Sequence, residues 1–308
     1  MRNFFIKILV IVIITNLGFT SVSYAGEKVD CYKEKIDKRF ILYDDKIYED
    51  FKINDEKEAK KAYYKVSKEE NYILNLINSR GEKTSLNNWK FNLNYLEENY
   101  DSIKNSRGVN MEYIDSYIHA YKIVIINECM PCEKTDEGRA TRSDKYNAND
   151  AVYYAIKHYN AKNYNSEYPD WSDYGGDCAN FVSQCIHAGG KEMQGSVATN
   201  FSDWFSYGNS INIKNVSSTW RGADAFRNYW QNNAIAYKKF SKVDEDSWNY
   251  GRKGDVVSLM NENGRTYHTM IIIHYDYPDF IMAAHTLDTK NARLKSYFPN
   301  KFIIYKMW

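Results

Sequence analysis

The chain has 308 residues, with 41 Lys and Arg against 40 Asp and Glu, a formal net charge of +1. That balance argues against a nucleic-acid partner, which asks for a basic surface, and the length allows one or two domains with a sizeable core. Twenty-eight tyrosines and only four prolines suit an AT-rich genome better than they suit any one fold.

Arg2 and Lys7 form a positive region ahead of an unbroken apolar run, Ile8 to Ile14, and Ser23-Tyr24-Ala25 supplies small residues at a cleavage position. The pattern predicts a secretory signal peptide over residues 1–25 and hence a secreted or cell-surface protein. The alternative, a retained membrane anchor, needs about 20 apolar residues; Thr15 and Asn16 interrupt the run, so no stable membrane insertion is expected after cleavage. Loss of Arg2 and Lys7 leaves 39 basic against 40 acidic residues.

Residues 26–132 form a first region without a catalytic constellation. The spacing of Ala59, Ala62, Tyr63, Val66, Tyr72, Leu74 and Ile77 predicts a helix from Asp55, broken near Glu70. A second helix is expected from Trp89 to Ile103. Met111 to Ile126 is ambiguous, since Tyr113, Tyr117 and Tyr121 share a helix face while Lys122 to Ile126 has the look of a strand. Five cysteines are an odd number for an exported chain. Cys129-Met130-Pro131-Cys132 has C-x-x-C spacing without a thioredoxin-like context, so a structural disulfide or two idle thiols is the expected reading, and no metal site is expected.

Residues 133–145 are polar and aperiodic, which predicts a linker. Asn147 or Asp150 then caps a helix through about Tyr159, and an aromatic loop, Tyr164 to Tyr174, leads to Gly175-Gly176-Asp177-Cys178. Apolar or cysteine side chains at 178, 181, 182, 185 and 186 make the stripe of a half-buried helix, closed by Gly189-Gly190. Cys178 falls in its first turn, where free N–H groups and the helix dipole favour a thiolate and can hold an oxyanion. Cys178 is therefore either a nucleophile or a core thiol; Cys185, lower on the apolar stripe, reads as core. Beyond Gly190 a Ser-, Asn- and Trp-rich stretch carries Trp204 and Trp220, which either line a substrate groove or sit in the core.

The C-terminal part is the β half. Strands are expected over Gly254–Met260, Thr266–Tyr275, Phe280–His285 and Lys301–Met307, with a hairpin turn at Asn261–Gly264. Helices followed by hairpins predict an α+β fold with a meandering antiparallel sheet. A thiol nucleophile needs a base and the base an orienting group. His268 and His285 are expected at one edge of the sheet, one as base and the other as orienter, while His268 and His274 should share strand parity.

The run Asp177-Cys178-Ala179-Asn180-Phe181-Val182-Ser183-Gln184-Cys185-Ile186-His187-Ala188-Gly189-Gly190 resembles the signature of the bacterial putative amidase domain family, a branch of the papain-like NlpC- and CHAP-type cell-wall hydrolases. Tyr146-Asn147 through Ala155, Trp220, Gly254-Asp255-Val256, His268-Thr269 and His285-Thr286 resemble its flanking motifs, so residues 146–308 are expected to form the domain. The resemblance implies a papain-like cysteine hydrolase without a cofactor, acting on an amide bond in peptidoglycan or a related cell-wall peptide. It assigns Cys178 as nucleophile, His268 as base and His285 as third polar residue, with Asp288 and Asn291 as rivals for that place. Asp177 would brace the cysteine loop, and Tyr174 is a candidate oxyanion donor. Two other readings stay open: a non-catalytic wall-binding protein that keeps the fold, and a thiol-redox protein using Cys129 and Cys132.

Overall fold

The computed structural model describes residues 55–131, 133–135, 146–174, 176–285, 289–297 and 301–308; the signal-peptide expectation, Cys132, Gly175 and Asp288 lie outside them. Residues 53–308 form one compact unit. No helix among the described residues is long and apolar enough to cross a membrane.

The described part of the N-terminal region is helical. Helix α1 runs Asp55–Ser79 without the expected break, because Glu69, Glu70, Ile73 and Ile77 fall on one buried stripe. Helix α2 (Trp89–Glu98) and a short α3 (Tyr100–Lys104) replace the single expected helix. Helix α4 spans Met111–Glu128, so the strand-like Lys122–Ile126 is helical. Ile123 and Val124 point inward there while Ile125 and Ile126 are exposed, a helical rather than an alternating pattern. Ile73, Ile77, Trp89, Leu93, Leu96, Tyr117 and Tyr121 pack these helices into a core of their own.

Helix α5 (Ala148–His158) is capped by Asn147, whose side chain accepts from the N–H groups of Asn149 and Asp150. The cysteine helix α6 is Cys178–Ala188. It ends in a Schellman pair: Gly190 N–H donates to the His187 carbonyl (2.8 Å) and Lys191 N–H to that of Ile186 (3.3 Å). Gly190 sits at φ 101°, which a side chain resists. A Cβ on Gly189 would fall 2.4 Å from the Tyr146 ring, so glycine there lets the start of α5 close on the end of α6. Helices α7 (Ser218–Arg221) and α8 (Ala223–Asn233) follow, then strand β2 (Ala236–Phe240) and helix α9 (Glu245–Tyr250).

Among the described residues the sheet has seven strands in the order β1-β2-β7-β3-β4-β5-β6, every pair antiparallel. Here β1 is Glu133–Lys134, β3 Val256–Met260, β4 Thr266–Asp276, β5 Asp279–Ala284, β6 Thr289–Arg293 and β7 Lys301–Lys306. The expected meander is therefore β3 to β6, with β7 returning between β2 and β3. Strand β1 falls within the stretch read as linker. The α+β class holds.

One face of the sheet carries Leu259, Met270, Ile272, Met282, Ala284, Phe302 and Ile304, packed with Leu294 and Tyr297. Trp248 and Tyr250 of α9 pack on that face too, while on the other Phe226 of α8 meets Tyr305 of β7 edge-on. A bulge between Ile272 and His274 shifts the register. His274 pairs with Ile281 whereas Ile272 pairs with Met282, so His274 and His268 are on opposite faces and the expected shared parity is lost.

Candidate active site

The cysteine helix is not half-buried as the stripe suggested. Every residue from Cys178 to Ile186 is buried, including Asn180, Ser183 and Gln184, and each buried polar side chain on it is bonded. Asn180 donates Nδ2 to the Pro169 carbonyl and to Asp177 Oδ1 (both 2.8 Å) and accepts from Trp220 Nε1 (2.8 Å). Ser183 Oγ donates to the Trp220 carbonyl (2.9 Å) and accepts from Trp204 Nε1 (3.0 Å). Gln184 accepts from the Tyr154 hydroxyl (2.8 Å). Trp204 and Trp220 are 0% exposed, with rings 4.5 Å apart. They line no groove; they hold the back of the helix that carries Cys178.

Cys178 opens α6 with 8% of its surface exposed. The backbone N–H of Thr269 on β4 meets its sulfur, as do N–H groups of its own first turn. The expected depressed thiol is not what results. Burial pushes the Cys178 thiol up to about 11, against the lowering effect of the Thr269 N–H and with a further raising effect from Asp177. Desolvation outweighs the helix terminus, because charge removed from water costs more than one helix dipole returns. At neutral pH about one thiol in ten thousand is ionised.

His268 stands one residue from that N–H. Its ring lies with Leu259 on the sheet face opposite the one that α8 meets, 5.7 Å from the Tyr297 ring. It is buried, and burial lowers its pKa to about 4, so the ring is neutral at pH 7. Its Nε2 and the neighbouring Thr269 Oγ1 have no hydrogen-bond partner among the described residues, and no hydrogen bond joins the ring to Cys178.

His285 departs furthest from expectation. It lies just past β5 rather than in it, with Nδ1 2.6 Å from Asp177 Oδ2 and Nε2 2.6 Å from the His158 carbonyl oxygen. Phe181 (3.9 Å) and Tyr164 (4.0 Å) stack on its ring. Both ring nitrogens are committed, so His285 does not orient His268. Asp177 holds more than a brace: its Oδ1 accepts from the Trp171 N–H (2.8 Å) as well as from Asn180, which ties the aromatic loop to the N-terminus of α6. Tyr174 is 61% exposed on a turn, its ring edge-on to Trp171. Asn291 lies half-buried in β6. Sequence reasoning missed Tyr164 and the Thr269 N–H; the first sat in a loop marked only by its aromatic content, and a backbone donor has no side-chain signal. Among the described residues no group of three His, Cys, Asp or Glu is placed to hold a metal ion.

The site is thus a buried thiol at the N-terminus of a helix packed on an antiparallel sheet, near a strand histidine. A family model described as "Putative amidase domain" matches residues 145–308, just over half of the chain, and the chain belongs to that family. It is similar to an uncharacterised protein of Bacillus subtilis (strain 168), YhbB, with 30% identity over 160 residues. The aligned part is 51% of this chain and 46% of that protein, so the match spans less than half of the relative's length. No solved structure matches.

Proposed function

We propose that the protein is an exported, papain-like cysteine amidase that hydrolyses an amide bond in peptidoglycan or a related cell-wall peptide. The observation that carries this reading is the Cys178 sulfur at the first turn of α6, met by the N–H of Thr269 next to His268, in a chain of an amidase-domain family. The signal-peptide pattern supports export, and the wall substrate follows from the resemblance to wall hydrolases.

In this mechanism both partners are neutral at rest, so His268 acts as a general base during attack rather than holding a preformed ion pair. His268 is the assigned base that takes the thiol proton as Sγ bonds to the substrate carbonyl carbon, a step that requires its ring to leave the sheet face it shares with Leu259 and Tyr297. The Thr269 N–H steadies the charge on sulfur, and the N–H groups of the first helical turn receive the oxyanion. Collapse breaks the C–N bond, the protonated His268 returns its proton to the leaving amine, and water hydrolyses the thioester with His268 as base again. Among the described residues no third residue orients His268 in this arrangement.

The wall-binding reading draws on one observation, the nearly ionisation-proof thiol at neutral pH. The separating experiment is digestion of purified peptidoglycan by the full chain and by Cys178→Ala, with fragments weighed by mass spectrometry. Release by the wild type alone supports the amidase, and the masses name the bond. Equal retention on the wall without release supports binding.

A further inference from the structure

We propose that Arg221 and the indole N–H of Trp171 form a carboxylate-binding subsite beside Cys178, which anchors an acidic wall peptide. The wall peptide rests on the amidase reading above; the carboxylate site does not, and the tests separate the two.

Arg221 closes α7, and its guanidinium carbon lies 5.0 Å from the centroid of the Trp171 ring. A cation over a ring face is held by its charge, so the N–H donors of the guanidinium stay uncommitted. None of them meets an acceptor among the described residues, and no carboxylate there pairs with the charge. Asp170 and Asp173 stand one and two residues from Trp171, yet neither forms an ion pair with Arg221. Arg221 is half-buried; its Nε is enclosed while the terminal nitrogens reach the surface, where a ligand can meet them. Trp171 supplies a second stranded donor: it is 3% exposed and its Nε1 bonds nothing among the described residues.

Buried donors are almost always paired, and a partly buried cation without a counter-ion is a cost. Two such donors in one stacked pair call for an anionic oxygen ligand, and the guanidinium fork matches the two oxygens of a carboxylate. Both partners are tied to the cysteine helix. Trp171 N–H donates to Asp177 Oδ1 (2.8 Å), one residue before Cys178, and the Trp171 carbonyl accepts from the Gly176 N–H (3.4 Å). Arg221 follows Trp220, whose indole donates to Asn180 in the first turn of α6 (2.8 Å). A carboxylate seated on the pair is thereby fixed relative to the thiol and positions an amide of the same peptide.

The first test reads the site alone. In the full chain carrying Cys178→Ala, acetate is expected to shift the Trp171 indole N–H resonance in nitrogen-15 NMR. Arg221→Met, which keeps an aliphatic stem over the ring, should abolish the shift. No shift with acetate, the same shift in Arg221→Met, or a shift with inorganic phosphate alone overturns the proposal. The second test compares binding of a soluble wall stem peptide with free carboxylates to that of the same peptide with every carboxyl amidated. The free form should bind about 10- to 100-fold tighter, the worth of one charge-assisted contact. Arg221→Met should erase that difference and Arg221→Lys retain part of it. Equal binding of the two forms, binding of neither, or a preference that survives Arg221→Met overturns the anchoring role. An acetate shift in a chain that cleaves no peptidoglycan would sink the amidase reading and leave the carboxylate site standing.

Discussion

The two walls around Cys178 are built differently. In the wall formed by α6 the buried polar side chains of Asn180, Ser183, Gln184 and Asp177 are bonded to Trp220, Trp204, Tyr154, Pro169, Trp171 and His285, and the one orphan among those partners is Trp171 Nε1. The wall formed by the start of β4 is not bonded in this way. His268 Nε2, Thr269 Oγ1 and Thr266 Oγ1 are buried without partners among the described residues. Buried polar atoms are almost always paired, so an orphan marks either a cost borne for function or a place where another molecule's polar groups fit. The helix wall fixes the proposed nucleophile; the strand wall carries the proposed base and the polar groups left without partners. Four predictions break or sharpen that contrast.

The largest effect is expected at the strand wall. His268→Ala should cut amide hydrolysis by about 10²–10⁴ while the fold persists, read as kcat/KM on soluble wall fragments. In the wild type the acidic limb of that profile should lie near pH 4 rather than 6.5, since burial lowers the imidazole. An acidic limb at 6.5 would mean that the resting ring is better solvated than it stands here.

At the helix wall the same kind of change should cost stability instead. Asn180→Ala strands Trp220 Nε1 and the Pro169 carbonyl, and should destabilise the chain by about 1–3 kcal/mol in urea unfolding. A loss of activity without a loss of stability would contradict the division between the walls.

A pH-dependent component of similar size or smaller comes from His268 itself. Its folded pKa is about 4 against about 6.5 unfolded, so the unfolded chain binds the proton first. This contribution is present above pH 6.5 and lost as pH falls through that range toward 4, by up to about 3 kcal/mol. Asp224 and Asp255, raised by burial to about 6, act in the opposite sense. His268→Leu should therefore remove the acid-side loss and leave stability rising as pH falls from 6 to 4, followed by thermal unfolding. An unchanged pH dependence would place His268 in contact with solvent.

The smallest effect is expected outside both walls. Gly190→Ala, at φ 101°, should cost about 1 kcal/mol through backbone strain at the end of α6. Alkylation of Cys178 should not change.

Much of this was legible in the sequence where a local rule decides the outcome. The start and stop of α6, the Asn147 cap of α5, the turn at Asn261–Gly264 and strands β3, β4, β5 and β7 all follow from periodicity and punctuation. Strand β6, Thr-Lys-Asn-Ala-Arg, has no alternation and exists because β5 offers it an edge; β2 carries Lys238 and Lys239 amid its apolar residues and is held by β7 and β1. For the candidate site, the place of Cys178 at a helix start was visible from the glycines and the helical stripe, and that of His268 early in β4 from the hairpin before it. The partners were not. Local pattern cannot tell that Trp204 and Trp220 turn inward to bond the cysteine helix, nor that a bulge moves His274 to the other face. Nor can it show that His285 reaches across more than a hundred residues to Asp177 rather than to its sheet neighbour.

The most direct test of the central claim, that Cys178 is the nucleophile, is capture of the acyl-enzyme. The full chain would be mixed with soluble wall peptide, quenched in acid, digested, and the Cys178 peptide weighed. The account predicts an added acyl mass on Cys178, absent from Cys129 and Cys185 and reduced in His268→Ala. Turnover of the peptide with no adduct at Cys178, and undiminished turnover by Cys178→Ala, would contradict it.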